Sequence, residues 1–259
     1  MKVLLVGGSG MVGTFVTPYL AKHHTIRVLD VVPPKHPDLV EYVQGSIDDE
    51  AAVARALEGM DSFVTMVMRN AGGANETEQT PESIRNNYQV NVSGLHLLLW
   101  TAQSMGITRG VHVSTRSVHF QRRTQDGRIV RYESEETSLL DAASIYGFTK
   151  GIGERVCQYF CSNFGMRIIA LRITGPRTRE AFIAERRNPI YPELYVMDEE
   201  DLADAILRSL EVVQVGSARF DPVLLAADEH QRDHNITKAK LLLGWEPRGQ
   251  RLLEEPAQG

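Results

Sequence analysis

The chain opens MKVLLVGGSGMVGTF (residues 1–15). Val3 to Val6 form a short, unbroken apolar run, and glycines follow at Gly7, Gly10 and Gly13. Such a run, cut off by glycines, reads as a strand buried on both faces. Met11 to Lys22 then carries a helical pattern. In a phosphate-binding turn the first glycine permits the tight bend. The second lets the backbone approach a pyrophosphate, and the third lets helix and strand pack closely. The helix start offers unsatisfied N–H groups to an anion. The spacing here is G-x-x-G-x-x-G with an extra glycine at Gly8, and a glycine trio alone also fits an ordinary corner.

The second strand decides between the two. TIRVLD (25–30) has the strand pattern and ends in Asp30. A carboxylate there can accept two hydrogen bonds from an adenosine ribose diol and would repel a 2′-phosphate, so NAD is expected rather than NADP. The rhythm continues with strands at 40–45, 61–68, 110–115 and 166–173. Helices are expected at 49–57, 81–105 and 143–164. Alternating strands and helices give parallel βαβ units. The expected fold is therefore α/β, a doubly wound parallel sheet (Rossmann) with a small C-terminal substrate-binding region. Residues 1–174 would form the NAD-binding core. Residues 175–259 would form a substrate or lid region that returns some elements to it. The segment 175–195, with four arginines and three prolines, shows little periodicity. A helix at 198–213, a strand near 222–226 and a helix near 236–244 complete the pattern, and the tail EEPAQG reads as frayed.

Composition narrows the function. Of 259 residues 42% are hydrophobic and 24% charged, enough to bury a core. The formal charge of −5 and the lack of a basic stripe argue against nucleic acid or anionic membrane as partners. No apolar stretch approaches a membrane span or signal-peptide core, so the expected location is cytoplasmic. The two cysteines, Cys157 and Cys161, lie four apart in a helical pattern and read as packing residues, not as a metal site. No metal is expected.

Chemistry enters with SIYGFTKGIGE (144–154). Tyr146 and Lys150 are four apart and share a helix face. A phenol titrates at about 10 and is a poor base at neutral pH. A nearby ammonium favours the phenolate, and the lysine can also hold the nicotinamide ribose. In VHVSTRSVHF (111–120), Ser114 and Thr115 end a strand, where open α/β sheets place ligands. Either hydroxyl could steady a reacting substrate oxygen.

With these pieces together the chain resembles the extended short-chain dehydrogenase/reductases, in their NAD-dependent epimerase/dehydratase branch. The resemblance spans most of the chain. It rests on VGGSGMVG (6–13), Asp30, GSID (45–48), NVSGLHLLL (91–99), STRSVHF (114–120), YGFTK (146–150) and LLLGWEPR (241–248). It implies Tyr146 as catalytic base or acid, Lys150 as its partner and Thr115 as the catalytic hydroxyl, with Ser114 as the alternative. It implies NAD held by Gly7, Gly10, Met11, Val12, Gly13, Asp30, Ser46, Ile47 and Asn91, together with Tyr146 and Lys150. Ser46 stands where the family commonly has an aspartate.

Dehydratases of the family carry Asp-Glu after the catalytic threonine, whereas Arg116 and Ser117 stand here. The compact length resembles uronate dehydrogenase, although that group often has Asn-His at these two positions. The implied function is oxidation of a carbinol carbon of a small sugar or sugar acid, with Arg69, Arg116, Ser117 and Arg177 as candidate substrate contacts. An epimerase that retains its NAD and a non-catalytic dinucleotide sensor are the alternatives. The family commonly dimerises through its two long helices, here 81–105 and 143–164, so a homodimer is expected.

Overall fold

The computed structural model describes residues 1–68, 79–119, 132–186 and 196–248. Arg69, Phe120, part of the arginine-rich segment and the tail from 249 lie outside these. Seven strands form one all-parallel sheet. They are β1 (Lys2–Val6), β2 (Thr25–Asp30), β3 (Val40–Gln44), β4 (Ser62–Thr65), β5 (Arg109–Thr115), β6 (Arg167–Ile173) and, after a further small pair, β9 (Arg219–Leu225). Their order is β3-β2-β1-β4-β5-β6-β9. The order reverses between β1 and β4, and ligands of open α/β sheets bind outside the strand ends at such a point. The small pair, β7 (Pro176–Arg177) with β8 (Met197–Asp198), is also parallel.

Each central strand feeds two cores. Val3 and Leu5 face one apolar cluster and Leu4 and Val6 the other, as period-2 alternation requires. Helices α1 (Met11–Leu20) and α7 (Glu199–Val213) cover the first face. The second is covered by α2 (Glu50–Leu57), by α3 (Pro81–Tyr88), which runs through a π turn at Gln89–Gly94 into α4 (Leu95–Ser104), and by α5 (Ile145–Phe164). Thr80 and Ser83 form a reciprocal cap at the start of α3, and Gly165, with φ +71°, ends α5. The arginine-rich segment contains a short helix the sequence pattern hides, α6 (Arg179–Arg186), anchored by the fully buried Phe182 against Val196 and Ala227. No helix among the described residues is long and apolar enough to cross a membrane.

The β1–α1 turn depends on missing side chains. Gly7 sits at φ +82°, a conformation other residues rarely adopt. A Cβ on Gly13 would lie 2.2 Å from the Gly8 carbonyl oxygen. The bare Cα of Gly13 thus lets α1 settle against the turn.

The C-terminal segment is clamped from the other side. Trp245 is fully buried and its Nε1 donates to the Asp201 carbonyl at 2.9 Å. Arg248 donates from Nε to Asp201 Oδ1 at 2.7 Å and pairs with Glu200 at 3.0 Å and Asp198 at 3.4 Å. At the sheet edge, Pro222 lies within β9, and Glu135 Oε1 accepts the Leu224 N–H at 2.5 Å. Both features blunt an open edge.

Two substitutions probe these contacts. Gly13→Ala forces backbone apart and is expected to cost about 1–3 kcal/mol. Arg248→Ala leaves the Asp198 and Asp201 carboxylates buried without their cation and is expected to cost about 2–3 kcal/mol, below the 3–5 of a fully buried pair because Arg248 is partly exposed. Urea unfolding checks both, and an unchanged midpoint in either variant contradicts the corresponding argument.

Candidate active site

A cleft of about 310 Å³ runs along the C-terminal ends of the strands. Gly7, Gly10, Met11 and Val12 line one end with Asp30, Ser46 and Ile47, and Ser114, Tyr146 and Lys150 line the other. Helix α1 begins at Met11 with no side-chain cap and no acidic residue in its first turn. Its first N–H groups have no intrahelical acceptor and lie where an anion would sit.

Asp30 belongs to that end. Its Oδ2 accepts the Ser9 N–H at 3.0 Å and its Oδ1 the Val32 N–H at 3.3 Å, so the carboxylate is fixed against the glycine turn. Met11, Val31, Val32 and Met68 border the cleft, each more than half exposed. An apolar rim beside an anchored carboxylate suits a flat ring attached to a ribose diol. A glycine turn that a Cβ would fill, an uncapped helix start, a carboxylate anchored beside that turn and an apolar rim together fit NAD.

At the other end Thr115 Oγ1 accepts the Ser117 N–H at 3.1 Å, and its hydroxyl neighbours the Tyr146 phenol. Burial pushes the Tyr146 phenol above its usual range, and the neighbouring Thr115 hydroxyl only partly offsets this. The Tyr146–Lys150 spacing led us to expect Lys150 to lower it. Instead Lys150, 2% exposed, donates from Nζ to the Val113 carbonyl at 2.7 Å, and burial draws its own ammonium down to about 8. The Ser114 hydroxyl is turned away, donating to Glu154 Oε1 at 2.6 Å. Of the two candidate hydroxyls, Thr115 is the one directed at Tyr146.

Other expected site residues are placed differently. Asn91 is buried in the π turn, and its amide nitrogen donates to Asn87 Oδ1 and Thr149 Oγ1, both at 3.1 Å. It braces α3 against α5, while its neighbour Val90 lines the cleft. Gly13 packs behind the turn. Arg116 follows Thr115, yet its Nη1 reaches His234 Nε2 at 3.1 Å. Because guanidinium only donates, that nitrogen must be the acceptor. The Arg177 guanidinium is committed to Glu185 at 2.5 Å and to the Pro176 carbonyl at 3.1 Å. Ser117 is exposed, and Arg69 lies outside the described residues.

One constellation escaped the sequence. Ser114, Glu154, Arg172 and His119 form a buried polar chain behind the cleft. The signal was there: MRIIALRI places Arg172 inside a strand that is otherwise apolar after Arg167, and such a charge requires a partner.

The comparisons with known proteins agree with the geometry. The profile of the NAD dependent epimerase/dehydratase family matches residues 3–191. The chain is 25% identical over 260 residues to L-arabinose 1-dehydrogenase (NAD(P)(+)) of Haloferax volcanii, covering 95% of this chain and 96% of that one. It is 26% identical over 176 residues to uronate dehydrogenase of Pseudomonas putida, covering 66% and 60%. Among solved structures, a short-chain dehydrogenase/reductase superfamily protein from Agrobacterium tumefaciens with bound NAD superposes with a TM-score of 0.77 at 19% identity, covering 98% and 95%. The chain belongs to the NAD-dependent epimerase/dehydratase family, the extended short-chain dehydrogenase/reductases.

Proposed function

We propose that the protein is an NAD-dependent dehydrogenase that oxidises a carbinol carbon of a small free sugar or sugar acid. The observation that carries this is that Tyr146 and Lys150, one turn apart on α5, line the same cleft as the glycine turn and Asp30. Gly7, Gly10, Met11, Val12, Asp30, Ser46 and Ile47 would hold the cofactor, whose nicotinamide supplies a hydride acceptor when bound. The chain's own groups handle the proton. Thr115 steadies the substrate oxygen, and Tyr146, after giving its own proton to solvent to become the phenolate that the Lys150 charge favours, takes the proton of the substrate hydroxyl. Lys150 also has donors to spare beyond Val113 for a ribose hydroxyl.

Size favours a free sugar over a sugar nucleotide. After Gly175, α7 packs on α1 and β5, and β9 completes the main sheet. Of the described residues there, chiefly β7, α6 and β8 remain to cover a substrate. The end-to-end match with an arabinose dehydrogenase supports the same choice. Arg116 is the candidate for a substrate carboxylate by position. We also propose a homodimer through α4 and α5, which turn the half-exposed Trp100 and Tyr159 outward in a run of edge-to-face aromatic contacts with Phe160 and Phe164.

The test is NADH formation against free pentoses, hexoses, uronic acids and UDP-sugars, with NADP in parallel. The expected result is NADH from a free sugar or sugar acid, with Tyr146→Phe lowering kcat by about 10²–10⁴-fold while NAD still binds. Interconversion of UDP-sugars on tightly retained NAD, without net NADH, would establish an epimerase instead. Asp30→Ala is expected to weaken NAD about tenfold or more and to narrow the preference over NADP, read by calorimetry. An unchanged NAD to NADP ratio would show that Asp30 does not read the ribose.

A further inference from the structure

The polar chain behind the cleft raises a question of purpose. Gly110, His112 and Ser114 on β5, and Ile168, Ala170 and Arg172 on β6, face α5, so that side of the sheet turns polar toward the strand ends. Glu154, 1% exposed, meets it there. Its carboxylate accepts from Ser114 Oγ at 2.6 Å, from Arg172 Nε at 3.0 Å and from Arg172 Nη2 at 2.6 Å. Arg172 Nη1 reaches His119 Nε2 at 3.2 Å, which must therefore be the acceptor. His119 Nδ1 then donates to the Leu139 carbonyl at 2.8 Å. Both charges are thus held in one geometry. A buried ion pair gains little net stability over apolar packing, so its retention invites a functional account.

Lys150 lies one turn before Glu154 on the same face of α5, and both are buried. The titratable groups around Lys150 can be taken in turn. Tyr146 and Cys157 share its helix, and burial pushes both above their usual ranges, so both are neutral. His112 faces it from β5. Burial, and then the Lys150 charge, hold that imidazole well below its usual range, so it is neutral too. Arg172, from β6, is engaged with Glu154. Cys157 and then Glu154 are the groups that would raise Lys150, and with the Cys157 thiol neutral the carboxylate of Glu154 is, among the described residues, the negative charge that does so.

We propose that Glu154 is a positioning residue for the reaction: fixed by Arg172 and Ser114, its carboxylate is the counter-charge that keeps Lys150 an ammonium beneath Tyr146. This rests on the reading of Tyr146 and Lys150 as the reactive pair. Burial already draws Lys150 down to about 8 with Glu154 in place. Glutamine at 154 keeps the shape and removes the charge. Loss of an opposite charge one helical turn away lowers an ammonium further, by about one pH unit.

The test uses the full chain labelled with ¹³C-lysine, without cofactor or substrate. The Lys150 Cε resonance is the one absent from Lys150→Arg, and its titration is followed by NMR. The wild type is expected to titrate at about 8, and Glu154→Gln about one pH unit lower, with Glu154→Asp returning toward the wild type. The alkaline limb of kcat should move in the same order. A folded Glu154→Gln protein with an unmoved Lys150 midpoint would overturn the proposal.

If that variant does not fold, Glu154→Gln with Arg172→Met removes both charges and leaves no lone guanidinium. A midpoint lowered by less than in the single variant is expected, because the opposing Arg172 charge is removed too, and an unmoved one overturns the proposal. A midpoint that moves in a protein that reduces no NAD would uphold the Glu154–Lys150 coupling and sink the oxidoreductase reading instead.

Discussion

The structure turns on a contact with no room for a methyl group. Where β1 gives way to α1, Gly13 rests against the Gly8 carbonyl at a separation that excludes any Cβ. That contact sets how near the helix start lies to the end of the sheet. The unsatisfied N–H groups of α1 therefore open onto the switch point between β1 and β4, with Asp30 hydrogen-bonded across the turn. Every later element extends from this corner. Parallel neighbours carry the sheet to β5 and α5, which bring Thr115, Tyr146 and Lys150 to the far end of the same cleft.

The two ends differ in electrostatic design. The glycine-turn end, where the proposed reading places the pyrophosphate, offers backbone dipoles and has no charged side chain in the turn. The reactive end relies on charge moved into a buried setting, where interactions weaken less with distance. Lys150 is nearly inaccessible and Tyr146 is held protonated by burial. In the proposed reaction the neighbouring cation favours loss of the phenol proton, and the resulting phenolate accepts the proton of the substrate hydroxyl. The Ser114–Glu154–Arg172–His119 chain behind it reaches the Leu139 carbonyl, in the segment that leads into α5. One polar path thereby joins the strand end to the start of the helix that carries Tyr146.

Much of this was legible in the sequence because the governing interactions are local. Strand and helix limits follow hydrophobic period, and β2 occupies the very residues read from TIRVLD. The glycine turn and the Tyr146–Lys150 spacing are also short-range patterns. What the sequence hid depends on partners far along the chain. Arg177 met Glu185 through the unexpected helix α6, and Arg116 met His234, 118 residues away. Helix α6 spans only eight residues and is fixed by one aromatic, too little periodicity to register. Which of Ser114 and Thr115 turns away from the cleft, as Ser114 does toward Glu154, depends on how the strand end twists, and neighbouring hydroxyls look alike in sequence.

The central claim is that a hydride leaves a carbinol carbon of a small sugar for the nicotinamide of a bound NAD. It is tested most directly by following the atom itself. The protein is supplied with NAD and a sugar substrate deuterated at the carbon to be oxidised, and both products are examined by mass spectrometry. The account predicts NADH that carries the deuterium, with the sugar released as its oxidised product. Deuterium that stays on an epimerised sugar, or that washes into solvent, would contradict it.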